Sequence, residues 1–291
     1  MDNFLFLPRA TFSALYDLAF AAAVGLLLSR LWLERDRTDA TLRTMRASFT
    51  ACALVLLLTL GAEVILTTAM MTGTLTGVTS QIKDVLTSTH AGRLLIPALL
   101  LATTLTTLSL LKRPLTLAAL AVLFTMAIVR AATGHAASQG DFTLPEAMQL
   151  IHLCSTAVWA GSVMVSGLLI VPYLVCRNDT VSLLHFAKRL SATAAIAVFL
   201  VLLSGIYNAW LGLSGSLAPL VHTQWGILLT IKSSLVTIAV LLGLYNRILL
   251  RRPASALTIQ SFGRSLRIEA LLIAAILTLS AFLANSPPAM S

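Results

Sequence analysis

Residues 130–161 read RAATGHAASQGDFTLPEAMQLIHLCSTAVWAG. A short polar segment here separates two long apolar runs, so the chain leaves one hydrophobic span, turns, and starts another. That is the pattern of consecutive membrane helices joined by a tight connection. The same stretch carries His135 and His152, two of the 5 histidines, and Met148, one helical turn before His152. It therefore decides the fold class and holds the most chemically active group of side chains.

Working outward, apolar runs of about 20 residues, each long enough to cross a hydrocarbon core, recur along the whole chain. Hydrophobic residues make up 58% of the 291 residues and charged ones 11%, with a mean hydropathy of +0.92. Such a composition excludes an ordinary water-soluble globule. The sequence predicts an all-α polytopic membrane helix bundle, a single membrane domain over 1–291. Eight transmembrane helices are expected, at 10–32, 47–71, 91–111, 114–134, 146–171, 187–213, 223–249 and 265–284. The first run follows Asp2 and a single arginine and contains Asp17, so it reads as a retained helix and not a signal peptide.

The net charge of +9 belongs to membrane topology and not to nucleic acid. Fifteen of the 20 basic residues flank the first, third, fifth and seventh connections, among them Arg43, Arg46, Lys112, Arg113, Arg189, Arg251 and Arg252. The positive-inside rule puts those connections in the cytoplasm and the other connections, with both termini, on the outside. His90, His135 and His222 then fall at outer helix ends, with His152 about a turn and a half inside. His185 is an ordinary cytoplasmic-side residue. The two halves, 1–134 and 135–291, look related as a 4+4 parallel repeat, which would make His90 and His222 pseudo-symmetric.

His152 shares a helix face with Met148, Ser155 and Trp159. Imidazole and thioether together suit copper, Met favouring Cu(I) and His serving Cu(I) or Cu(II). The alternative is a histidine bonded to a neighbouring helix with Met148 as filler, and both readings stay open. His135 can lie close to His152 across the short connection. Met70 and Met71 end the second span at the same level, which gives a metal-ligand set of His135, His152, His222, His90, Met148, Met70 and Met71. Within the spans, Glu63, Asp17 and Lys232 are transport-route candidates, because ionisable groups at membrane depth point inward and pair. For Lys232 a structural pair with span one or two is preferred. Glu269 is expected to pair locally with Arg267 or Arg247. The 3 cysteines, Cys52, Cys154 and Cys176, form no CxxC and imply no disulfide framework.

No GxxxxGK[ST] phosphate loop and no HExxH occurs, so neither ATP-driven pumping by this chain alone nor a zincin protease fits. The expectation is not an enzyme. Several short motifs resemble the CopD family (copper resistance protein D, PcoD-like) of inner-membrane copper proteins. They are Gly134-His135-Ala136, His152 with Trp159-Ala160-Gly161, Ser204-Gly205, Trp225-Gly226-Ile227-Leu228-Leu229-Thr230-Ile231-Lys232, Asn246-Arg247 and Leu266-Arg267-Ile268-Glu269. The resemblance is best over 134–284 and rests on arrangement in the first three spans. It implies copper transport and homeostasis, copper ion as cargo, His135 and His152 as leading ligands, and a periplasmic CopC-like copper-binding partner, of which no fused copy lies in these residues. Two other classes stay open. A haem b-binding redox protein would use His152 and His222 as axial ligands, and a sensor or assembly protein would bind copper without moving it.

Overall fold

A computed structural model describes residues 2–33, 39–73, 77–111, 115–133, 143–213, 217–253 and 255–286. Among them helix is the only regular structure. The order is α1 (Asp2–Trp32), α2 (Asp39–Thr72), α3 (Val78–Ser88), α4 (His90–Leu110), α5 (Thr116–Ala132), α6 (Leu144–Val165), α7 (Val171–Cys176), α8 (Thr180–Gly212), α9 (Pro219–His222), α10 (Gln224–Leu249) and α11 (Ala256–Asn285). Seven of these segments are long and apolar enough to cross a membrane, with α6 and α7 counting as one, and Thr116–Ala132 is a shorter apolar helix. Seven of the eight expected spans thus have a helix of membrane-crossing length, the fourth has the shorter Thr116–Ala132, and the chain is a multi-pass membrane protein.

Several helices outrun the apolar stretches that announce them. Span six was expected from residue 187 and span eight from 265, whereas α8 begins at Thr180 and α11 at Ala256. Hydropathy marks only what sits in hydrocarbon. The helix continues for as long as its caps allow, and a 33-residue helix is about 50 Å long against a core of about 30 Å. Asp179 sets the start of α8, its Oδ1 accepting from the Ser182 N–H at 3.1 Å, and Ser255 does the same for α11 through Thr258 at 3.2 Å.

The core runs between α1 and α6, which pack along their length and are flanked by α2, α5, α8 and α11. Hydrophobic segregation from water does not drive helices together inside lipid, so close backbone approach must do it, and small residues permit that. At the crossing, Gly25 meets Gly161. A Cβ on Gly161 would overlap the Ala21 carbonyl, and one on Gly25 would overlap the Gly161 carbonyl. A second close approach sets Gly167 against the Leu266 carbonyl oxygen, which a Cβ would meet at 2.6 Å. It lies in a π-helical turn, Ser166–Ile170, that joins α6 to α7 just before Pro172. Proline has no N–H to donate and cannot continue a regular ladder, and one turn of wider helix absorbs the mismatch.

Two elbows, which the hydropathy reading does not anticipate, are built alike. In each, a short helix (α3, α9) ends at an extended threonine that caps the next long helix. Thr89 Oγ1 accepts from the Gly92 N–H at 2.9 Å and donates to the Val85 carbonyl at 2.8 Å. Thr223 Oγ1 accepts from the Gly226 N–H at 3.0 Å and donates to the Pro219 carbonyl at 2.8 Å. Gly92 and Gly226 are required because a Cβ on either would strike the backbone of its short helix. Aligned on Thr89 and Thr223, the elbows set His90 opposite Gln224 and His222 opposite Ser88. Thr223→Ala is expected to cost about 1 kcal/mol, read as a lowered unfolding temperature in detergent; an unchanged midpoint would deny the cap its role.

Candidate functional site

Two polar groups lie in the half of the bundle where α1 begins and α2 ends, and a third, Glu269 with Asn246, lies in the other half. The first joins α1, α2 and α5. Arg9 donates to Glu63 Oε1 at 3.3 Å and to Met70 Sδ at 3.3 Å. One turn deeper, Arg130 Nη2 donates to Ser13 Oγ at 3.0 Å, and its guanidinium lies over the Tyr16 ring, 5.0 Å from the centroid. Tyr16 stacks on Phe20 at 5.9 Å. Asp17 on α1 and Lys232 on α10 feel each other's charge, but the ion pair seen among the described residues is Arg9–Glu63, and the expected pair of Lys232 with span one or two is left as an expectation. An arginine and a lysine are tolerated at this depth because each finds opposite charge or π density.

The second group zips α6 to α8. His152 Nδ1 lies 3.1 Å from Ser204 Oγ, and one turn away Asn208 Nδ2 donates to Gln149 Oε1 at 2.9 Å. The tautomer of the His152 ring follows from the serine. Ser204 Oγ sits 2.6 Å from the Leu200 carbonyl, which takes its single proton. Its oxygen is left to accept, so in the neutral ring Nδ1 carries the hydrogen and Nε2 carries the lone pair. A histidine whose far nitrogen is held this way is oriented as metal-ligating histidines are. Gly205 makes room for the ring, since a Cβ there would stand 3.2 Å from His152 Cε1. The positive charge of Lys232 is felt at His152 as well as at Asp17.

The expected ligand set is only partly gathered. His152 is half-buried with Met148 one turn before it on α6. His90 is exposed, its Nε2 3.3 Å from the Ala132 carbonyl. Met70 faces Arg9, and Met70 and Met71 are 48% and 51% exposed. His222 is exposed on α9, which packs chiefly on α10. His135 lies outside the described residues. Among the described residues no three His, Cys, Asp or Glu side chains come close enough to hold a metal ion.

Glu269 differs from expectation. It is 3% exposed, and its Oε2 accepts from Asn246 Nδ2 at 2.7 Å, not from Arg267 or Arg247. A carboxyl on the inward face of α11 meets α10, whereas neighbours in its own sequence point elsewhere. Sequence reasoning also passed over Arg130, which had a legible signal, an arginine two residues before the end of an apolar run. Ser204 was marked as part of Ser204-Gly205, but its contact with His152 was not foreseen.

The description "Copper resistance protein D-like, N-terminal domain" matches residues 7–144, and "Copper resistance protein D" matches residues 184–283. The first extends the resemblance over the spans where sequence motifs were weakest. His152 falls between the two matched stretches. The chain is 30% identical over 167 residues to the "Copper transport protein CutJ" of Bacillus subtilis (strain 168), covering 57% of this chain and 30% of that relative. The chain thus spans about a third of the length of the curated relative it matches. No solved structure matches it. With both halves matched in order on an all-helical membrane bundle, the chain belongs to the copper resistance protein D family.

Proposed function

We propose that this chain takes copper ions at the periplasmic face of the bacterial inner membrane and moves them toward the cytoplasm. The observation that carries the reading is His152, half-buried on α6 with its Nδ1 3.1 Å from Ser204 Oγ, an arrangement that leaves Nε2 as the nitrogen with a lone pair. A soft or borderline cation is the ligand such a nitrogen suits. The family relationship supplies the metal, and the name of the Bacillus relative supplies transport. His135, His90, His222 and the methionines Met148, Met70 and Met71 are ligands in this reading, recruited around His152 when the ion arrives. The charge bias of the connections supports the orientation, and the paired elbows support two related halves within one membrane domain. A CopC-like periplasmic protein is the proposed donor.

Glu63, Asp17 and Lys232 accompany the route, Asp17 offsetting the lysine that would otherwise repel a cation beside His152. Purified protein in proteoliposomes, supplied with radiolabelled copper outside, is expected to accumulate label above empty vesicles. Copper bound in detergent with no accumulation would favour the sensor or assembly reading. A Soret band in the purified protein would favour haem.

A further inference from the structure

The far half of the bundle contains a cavity of about 250 Å³ between α6, α8, α10 and α11. Its walls are mostly apolar, yet Glu269, Asn246 and Ser191 line it. Asn246 is 5% exposed, and its Oδ1 is buried without a hydrogen-bond partner. Its amide Nδ2 is committed to Glu269, so the amide oxygen is left as an acceptor with nothing to accept. Gly243 keeps the space beside the carboxyl clear, for a Cβ there would lie 3.1 Å from Glu269 Oε1. A carboxylate, an orphaned amide oxygen and a hydroxyl in one pocket are all acceptors, and a cation is what such a set lacks.

The cavity is continuous in register with His152. On α6, Trp159 and Val163 follow His152 at seven and eleven residues, two and three turns along the same face, and both line the cavity. On α10, Ala239, Gly243 and Asn246 stand in the same relation to Lys232, which acts on His152 at the other end. The α6 face thus runs from the histidine to the oxygen cluster, with the buried indole of Trp159 between, and the α10 face runs to the same cluster from Lys232.

We infer that the Glu269–Asn246 cavity is a second cation site, lined by oxygen, which receives the ion passed from His152 before it leaves the protein. The inference rests on the transport reading and deepens it. Arg247 also lines the cavity, and its charge opposes a resident cation. The site therefore holds its ion weakly, as a station on a route must. Oxygen donors take Cu(II) more readily than Cu(I), which makes Cu(II) the probe of choice.

The test is electron paramagnetic resonance of the full chain in detergent, titrated with Cu(II). Wild-type protein is expected to show a nitrogen-coupled signal and an oxygen-coordinated one. Glu269→Gln should lose the oxygen-coordinated signal and keep the other, and His152→Ala should do the reverse. Should Glu269→Gln misfold, Gly243→Ala crowds the carboxyl without removing it and is expected to weaken the oxygen site ~10-fold. Wild-type protein without an oxygen-coordinated signal, or both variants retaining it undiminished, overturns the inference. A nitrogen-coupled signal that survives His152→Ala would instead overturn the role of His152 and leave the second site standing.

Discussion

Gly161→Val is expected to dismantle the bundle. At this position the backbones of α1 and α6 touch, and the first atom of any side chain would occupy the space of the Ala21 carbonyl, with Gly25 N only 2.9 Å away. No flexible side chain stands there to move aside, so the helices must separate. Overpacking in ordinary cores costs ~1–3 kcal/mol. Here the value should lie at or above the top of that range, because α1 and α6 form the centre from which α2, α5, α8 and α11 are hung. Gly61 supplies the contrast, with no atom within 4 Å of a Cβ built there. Gly61→Ala should be neutral or should stabilise α2 by up to ~1 kcal/mol through helix propensity. Size-exclusion profiles and melting curves in detergent separate the two. A monodisperse Gly161→Val protein that melts like wild type would sink the account of the crossing.

That contrast shows where sequence reading stops. Gly25, Gly61 and Gly161 look alike in the sequence, each a small residue in an apolar run, and only the pairing of α1 with α6 tells them apart. The spans were legible because hydrocarbon demands apolar length, whatever the helices pack against. That Asp17 and Lys232 lie within spans was legible too, since charge at that depth must find a partner. Their partners were harder to read, since Asp17 and Lys232 stand on helices remote in sequence and the depth of a charge alone left Lys232 to span one or two. Glu269 and Asn246 lie 23 residues apart on adjacent helices, and their hydrogen bond depends on the rotation of α11 against α10, which no local pattern encodes. The elbows at Thr89 and Thr223 escaped because α3 and α9 are too short for a span-length window. Their threonine, followed by glycine three residues on, was nonetheless present in the sequence both times. Met70 was placed correctly at its helix end, but its contact with Arg9 depends on how α1 docks against α2.

His152→Ala is expected to bring copper uptake into proteoliposomes down to the level of empty vesicles while leaving the bundle folded. The ring makes its hydrogen bond to Ser204 within the α6–α8 contact, which Asn208 and Gln149 also secure, so the helices should stay together without it. The same geometry makes a finer prediction through the serine. Ser204 never touches the ion; it fixes which nitrogen carries the proton. Ser204→Ala frees the ring to rotate and to adopt either tautomer, and losses of this kind lower metal affinity ~10–100-fold. Ser204→Thr keeps the hydroxyl and should restore most of it. Gly205→Ala works by sterics on the same ring, because its Cβ would press on His152 Cε1 from 3.2 Å. Copper affinities measured by competition with a chelator of known strength should therefore fall in the order wild type, Ser204→Thr, Ser204→Ala, His152→Ala. A purely structural histidine would give a different outcome, with melting temperatures falling in that order and affinities holding still. Equal affinity in Ser204→Ala and Ser204→Thr would mean that the hydroxyl does not orient the ring, and the tautomer argument would fail with it.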